Sequence, residues 1–173
     1  MKIKNIHIID ESFLKAPKNY IIQSLLAVAA VAIILYFVEA WTHAAIVAAL
    51  GSSVFIVFAM PNTIVAQPRR LIGGHIVGLL CGLICYYIFI VGPFSKLYTE
   101  WEFMIWVVYA LSIGLSIFLM TITNTEHPPA AGTALGIVTH EWSSTTIIFI
   151  VVFAVSLAIV KILLKRYLKD LCT

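Results

Sequence analysis

The sequence predicts an all-α integral membrane protein, a polytopic transmembrane helical bundle of four long spans and two short segments. The prediction rests on the composition, on six apolar segments, and on the prolines and glycines that mark their ends. Of the 173 residues, 62% are hydrophobic and 11% are charged, and the mean hydropathy is +1.04. A soluble domain carries about 25% charged residues. The composition therefore excludes a soluble enzyme and a nucleic-acid-binding domain.

The six apolar segments differ in length in a regular way. Crossing a bilayer takes about 20 apolar residues, and four segments approach or reach that length: residues 20–38, 71–91, 103–123 and 143–160. Two are shorter, residues 44–59 and 128–139. The chain thus divides into a cytoplasmic or interfacial segment 1–19, a transmembrane domain 20–164 and a basic cytoplasmic tail 165–173.

The order long, short, long occurs twice and predicts an internal duplication. Residues 49–57 (ALGSSVFIV) align with residues 130–138 (AAGTALGIV), with alanine, glycine, isoleucine and valine at matching positions. Each half has an odd number of segments, so the halves are expected to have opposite orientations. Inverted repeats whose short helices meet near the midplane are a recurring plan of transporters. The sequence therefore predicts an inverted 3+3 repeat.

The basic residues indicate how many segments cross the membrane, because cytoplasmic loops favour Lys and Arg. With six crossings, every basic residue except Lys96 lies on the cytoplasmic side, whereas with four crossings Arg69 and Arg70 move outside. This difference favours six crossings by a single residue, and both schemes place both termini in the cytoplasm. Residues 1–19 show no secretory or transit signal, so we expect a bacterial-type inner membrane.

The most informative stretch is NTEHPPAAGT, residues 124–133. A diproline suits the first turn of a helix but not its interior, so the second short helix is expected to begin there. A helix that begins inside a membrane presents N–H groups and a partial positive charge, which attract small anions. The alternative is a cytoplasmic turn whose prolines merely begin a helix. The predicted anion-binding residues of this half are His127, Pro128, Gly132 and Thr133.

The first half offers an arginine and a histidine with a related role. Arg69, in the first helical turn after Pro68, either attracts an anion at the cytoplasmic mouth through its planar donors or binds lipid headgroups. His75 lies about one turn into an apolar span, where ionisable groups are costly and often functional; the alternative is a structural role. A histidine with a pKa of about 6.5 can also carry an accompanying proton. The predicted anion-binding residues of this half are Gly51, Ser52, Ser53, Arg69 and His75.

Three glycines lie four residues apart, at Gly74, Gly78 and Gly82. This spacing lets helix backbones approach closely, and the partner is either another span of the same chain or a second protomer of a homo-oligomer. The three cysteines form no metal-binding or redox pattern. We therefore expect no metal and no cofactor.

The motifs together resemble the HPP family of integral membrane proteins, named for the motif seen here as His127-Pro128-Pro129. The similarity also covers Gly51-Ser52, residues 66–69 and residues 73–75, with Gln67, Pro68, Arg69, Gly73, Gly74, His75 and Gly132 as motif matches. The resemblance implies a compact helical protein, usually described with four full spans. It also implies nitrite transport, the role of plant plastid members.

The expected function is that of a transporter or channel for a small inorganic anion, and nitrite is the favoured substrate. The expected partner is the lipid bilayer, and no nucleic-acid partner is expected. Two alternatives stay open. One is a non-transporting assembly subunit that uses the glycine positions to bind a partner helix. The other is a membrane enzyme with Glu126 and His127 in acid–base roles; no nucleophile or metal-ligand spacing accompanies them, so we do not expect an enzyme.

Overall fold

The computed structural model describes residues 11–38, 44–140 and 142–172, and every regular element within these ranges is helical. The α-helices are α1 (Glu11–Lys15), α2 (Pro17–Val38), α3 (Ala44–Ala59), α4 (Pro68–Cys85), α5 (Ser95–Glu100), α6 (Phe103–Ile122), α7 (Pro129–Thr139) and α8 (Ser144–Leu164). A 3₁₀ turn (Ile64–Ala66) precedes α4, and a π-helical turn (Tyr86–Ile90) continues it. Residues 1–10 of the predicted segment 1–19 lie outside the described residues.

The all-helical membrane fold is confirmed. Among the described residues, three helices are long and apolar enough to cross a membrane: Pro68–Ile90, Phe103–Ile122 and Ser144–Leu164. The fourth predicted long span corresponds to α2, a helix of 22 residues. The two predicted short segments correspond to α3 and α7. The number of crossings and the inverted repeat stay predictions.

The helix starts follow from local sequence. Pro17, Pro68 and Pro129 each occupy the first turn of a helix, where the missing N–H costs nothing and the restricted backbone angle of proline suits the helix. Helix α8 begins with a capping box, in which the Ser143 hydroxyl accepts from the Thr146 amide at 3.3 Å. These local signals mark the starts of α2, α4, α7 and α8.

The predicted glycine positions lie in the interface between α4 and α7 of the same chain. A Cβ on Gly78 would collide with the carbonyl oxygen of Ala130, and one on Gly82 would lie 2.8 Å from that of Ala134. Residue numbers increase together along this interface, so α4 and α7 run parallel. The glycines let the two backbones come closer than any side chain would allow.

Helix α3 packs on the other side of α7 and runs antiparallel to it. A Cβ on Gly132 would lie 3.0 Å from the Ala49 Cβ, whereas one on Gly136 would collide with Ile46. The segments that the sequence aligns as counterparts, residues 49–57 and 130–138, therefore contact each other at Ala49 and Gly132.

The end of the bundle at which α4 begins, here called the Pro68 end, also holds the end of α3 and the C-terminal residues. The Leu171 amide donates to the Ala59 carbonyl at 2.8 Å, and Gln23 of α2 bonds to both Phe58 and Lys169. The described part of the predicted basic tail therefore packs across this end of the bundle.

Helix α7 begins inside the bundle and not at its surface. His127, just before α7, lies beside Gly74, about 9 Å from Pro68 at a rise of ~1.5 Å per residue. The start of α7 is thus more than one helical turn deeper than the start of α4.

Replacing Gly78 with alanine is expected to destabilise the protein by about 1–3 kcal/mol, because the new methyl group overlaps the Ala130 carbonyl and separates α4 from α7. Thermal unfolding of the purified variant in detergent measures the effect. Gly114→Ala in α6 is the matched control, since a Cβ there meets nothing within 4 Å. Equal stability of the two variants would contradict the close packing of α4 on α7.

Candidate functional site

Four polar side chains meet between α3, α4 and α7, inside the helical bundle. They are Ser53 of α3, His75 of α4, His127 just before α7, and Thr133 of α7, each 0–1% exposed. We call them the histidine network. Burying polar groups is costly unless they form hydrogen bonds. Each of these side chains therefore needs a hydrogen-bond partner inside the bundle.

Every ring nitrogen of the two histidines has a partner at hydrogen-bond distance. His75 places Nε2 2.9 Å from Ser53 Oγ and Nδ1 2.8 Å from Thr133 Oγ1. His127 places Nε2 2.9 Å from the same Ser53 Oγ and Nδ1 2.8 Å from the carbonyl oxygen of Val65. One serine hydroxyl therefore joins two imidazole rings whose centroids are 5.2 Å apart.

The Val65 carbonyl determines where the protons lie. A carbonyl oxygen only accepts, so Nδ1 of His127 carries the proton, and in a neutral ring Nε2 accepts from the Ser53 hydroxyl. Ser53 then accepts from the Nε2–H of His75, whose Nδ1 accepts from the Thr133 hydroxyl. The donors follow one direction through the network, from Thr133 to Val65.

Ser53 has a second acceptor within reach, the carbonyl oxygen of Ala49 at 3.1 Å. A hydroxyl has one proton and cannot donate to Ala49 and His127 at the same time. If His127 Nε2 is protonated, the Ser53 hydroxyl turns to Ala49 and its oxygen accepts from His127. The network can therefore hold one added proton with every donor still bonded.

Of the two adjacent serines of α3, only Ser53 belongs to the histidine network. Ser52 lies on the exposed face of α3, and its hydroxyl donates to the Ala48 carbonyl one turn earlier at 2.9 Å. Gly51 is also exposed, and a Cβ there would meet nothing within 4 Å. Of the predicted first-half residues, the structure thus brings Ser53 and His75 together and leaves Gly51 and Ser52 on the other face of α3.

The start of α7 differs from the prediction of free backbone donors. Pro128 and Pro129 have no N–H, and the amides of Ala130 and Ala131 donate to the carbonyls of His127 and Pro128 at 2.9 and 3.2 Å. The prediction is wrong for these two amides, because Pro128 already has helical backbone angles (φ −50°, ψ −40°) and the carbonyls three residues earlier reach them. Side chains, not amides, supply the polar groups that meet at this end of α7.

An ion pair lies next to the histidine network. Arg70, 8% exposed, pairs with Glu126 and also donates to the Asn124 side-chain oxygen. The Glu126 carboxylate therefore faces Arg70. Arg69, which the sequence places at the cytoplasmic mouth, is exposed at the Pro68 end.

The other predicted motif residues surround these groups. Gly73 packs against Thr125, Gly74 against His127, and Gly132 against Ala49. Pro129 is buried, Pro68 is partly buried, and Pro128 and Gln67 are exposed. An open groove of about 290 Å³ between α6 and the start of α7 is bordered by Glu126, His127, Pro128 and Ala131.

The contributions of two residues, Val65 and Lys161, were not predicted from the sequence. Val65 contributes only its carbonyl, and no side-chain pattern signals such a role. Lys161 was assigned to the basic cytoplasmic side, yet it is 9% exposed and its Nζ donates to the Ala66 carbonyl at 2.6 Å. Its burial was open to detection, because Lys161 continues the buried face formed by Ile150, Ala154 and Leu157 at helical spacing.

Comparisons with known proteins agree with this membrane fold. Residues 14–169 match the family model described as HPP, transmembrane region. Two transmembrane proteins of Dictyostelium discoideum are 36% identical over 90 residues and 35% identical over 85 residues. These segments are 52% and 49% of this chain but 28% and 24% of the relatives, so the similarity covers about a quarter of each relative. No solved structure matches the chain.

The proton assignment predicts different tautomers for the two buried histidines. His127 is expected to carry its proton on Nδ1 and His75 on Nε2, because the Val65 carbonyl imposes the direction of every bond in the network. Nitrogen NMR of the protein with isotope-labelled histidine, near neutral pH, identifies both tautomers. Ser52→Ala should leave both signals in place, whereas Ser53→Ala should shift both rings. A proton on Nε2 of a neutral His127 would contradict the assignment.

Proposed function

Because this chain belongs to the family of HPP transmembrane proteins, we propose that it transports a small inorganic anion across a membrane as a transporter or channel. Nitrite is the substrate that the resemblance to plant members favours. The observation that carries the proposal is the histidine network, a fully hydrogen-bonded polar centre buried beside the start of α7.

The position of the network supports a transport role over a purely structural one. The side chains packed around the same helices are mainly aliphatic and aromatic, among them Ile46, Leu50, Leu71, Ile137 and Leu157. Such apolar contacts are enough to stabilise a helical bundle, so packing alone does not require buried polar groups. Ionisable residues inside a membrane are costly and usually serve an ion or proton pathway. Two histidines that share one serine fit that use.

Charge is the means by which the network acts on an anion. A proton taken up at His127 Nε2 converts the neutral ring to an imidazolium, while the Ser53 hydroxyl turns to the Ala49 carbonyl. In the low dielectric of the bundle this positive charge attracts an anion far more strongly than it does in water. Release of the proton restores the neutral network and weakens the attraction. Anion and proton are thereby moved together.

The arginines at the Pro68 end have separate roles in this proposal. Exposed Arg69 raises the local concentration of anions at the mouth. Buried Arg70 has its guanidinium bonded to Glu126 and Asn124, and it holds the segment that leads into His127. By the preference of cytoplasmic surfaces for basic residues, the Pro68 end faces the cytoplasm, in a bacterial-type inner membrane.

A homo-oligomer is part of the proposal, because small residues remain exposed on two helices. Gly51 and Ser52 of α3 and Ala110 and Gly114 of α6 leave flat faces on the outside of the monomer. Small residues at such faces allow close packing of helices in a membrane. We do not propose an enzyme, since the Glu126 carboxylate faces Arg70 and not His127.

Purified protein in liposomes is expected to show saturable nitrite uptake, and Ser53→Ala is expected to lower it by about 10- to 100-fold. Loss of the hydroxyl leaves two buried ring nitrogens unpaired, at a cost of about 1–3 kcal/mol. His127→Ala and Arg69→Ala should also reduce the uptake. Radiolabelled or colorimetric nitrite assays measure the flux, with a pH-sensitive dye inside the liposomes for the proton.

The matched control is Ser52→Ala, which removes an exposed hydroxyl one residue away and should transport normally. Folded protein without saturable nitrite flux above empty liposomes would remove the substrate assignment. Normal flux in Ser53→Ala, His127→Ala and Arg69→Ala would remove the pathway even if nitrite were transported.

A further inference from the structure

A second polar cavity lies at the Pro68 end, apart from the histidine network. It measures about 400 Å³ and is bounded by residues 61–63, the start of α4 and the end of α8. The polar side chains along its wall are Asn62, Thr63, Gln67, Lys161 and Lys165. The two lysines and the side-chain amides of Asn62 and Gln67 give this lining several N–H donors, which suit an anion with oxygen acceptors.

Lys161 is the unusual member of this lining. Its side chain is almost fully buried, and its Nζ uses one of three N–H donors for the Ala66 carbonyl. Among the described residues, no carboxylate lies within ion-pair distance of Nζ, and the one ion pair they show joins Arg70 and Glu126. A buried charge is costly unless it is paired. Lys161 therefore has N–H donors left with which to bind an anion.

Asp170 does not serve as an ion-pair partner for Lys161. Asp170 acts on Lys161 electrostatically, but its two carboxylate oxygens accept from the backbone and side-chain N–H groups of Asn62, each at 3.0 Å. Lys165 adds a second positive charge on the same wall. The cavity thus keeps an excess of positive charge among the described side chains that line it.

The cavity is connected to the histidine network through the short 3₁₀ turn Ile64–Ala66. Lys161 donates to the carbonyl of Ala66, and His127 donates to the carbonyl of Val65. These two carbonyls belong to consecutive residues of one turn.

We propose that this cavity binds an oxyanion, with Lys161 and Lys165 as its cationic ligands. The side-chain amides of Asn62 and Gln67 are further donors, whereas the Thr63 hydroxyl already donates to the Met60 carbonyl at 2.7 Å. The oxyanion is a free inorganic ion from the cytoplasm or the phosphate of a lipid headgroup. The inference does not depend on nitrite transport, because it rests on the burial of Lys161 and the lining of a separate cavity.

The test is equilibrium binding to the purified full chain in a neutral, phosphate-free detergent. Sodium nitrite and sodium phosphate are titrated at constant ionic strength against chloride, and thermal unfolding is followed. We expect a saturable rise in unfolding temperature for one or both oxyanions. Lys161→Gln and Lys165→Gln should weaken the apparent affinity by tenfold or more. Lys169→Gln, an exposed lysine outside the cavity lining, should bind like the unaltered chain.

A second arm identifies the source of the oxyanion. Phosphatidylglycerol is compared with a neutral glycolipid that carries no phosphate, using mass spectrometry of the intact complex. Retention of phosphatidylglycerol that Lys165→Gln abolishes, without an effect of the inorganic ions, assigns the cavity to a lipid phosphate. Because Lys165 is exposed, its substitution keeps the test informative if Lys161→Gln does not fold.

The proposal is overturned if neither the inorganic oxyanions nor phosphatidylglycerol stabilise the unaltered chain. It is also overturned if Lys165→Gln binds as tightly as Lys169→Gln. Both readouts are independent of flux, so oxyanion binding without nitrite transport would remove the proposed function and leave this site intact.

Discussion

The close contact between α7 and α4 is the constraint on which the remainder of the structure depends. Gly74, Gly78 and Gly82 bring the backbones together, and the contact places His127 and Thr133 on either side of His75. The depth of α7 follows from the same contact, since its first turn is level with the interior of α4. Without the glycines, the histidines would be too far apart to share one serine hydroxyl.

The direction of the hydrogen bonds in the histidine network determines which ring nitrogens carry protons. A single obligatory acceptor, the Val65 carbonyl, orders every proton up to Thr133, and the spare Ala49 carbonyl gives Ser53 a second position for its proton. The adjacent carbonyl of Ala66 holds a buried lysine. A three-residue turn thus lies between the histidine network and the lysine-lined cavity, with one of its carbonyls bonded to each.

The sequence predicts the main elements well where one local signal suffices. Prolines mark the starts of α4 and α7, and apolar length identifies α6 and α8. Its predicted anion-binding residues also include Ser53, His75, His127 and Thr133, which are polar groups in or next to apolar segments. It does not separate Ser53 from Ser52, since which serine is buried depends on the face of α3 that α4 and α7 cover. Nor does it show that preceding carbonyls bond the first amides of α7.

The amino-acid sequence by itself determined that the protein is a helical membrane bundle, where its helices begin, and which polar residues lie within apolar segments. These properties depend on composition and on neighbours a few residues apart. Only the tertiary structure decided which polar residues meet, that Arg70 and not Arg69 is buried, and that Lys161 lines a cavity. Those outcomes depend on the rotation and depth of each helix against its partners, which packing between residues distant in the chain determines.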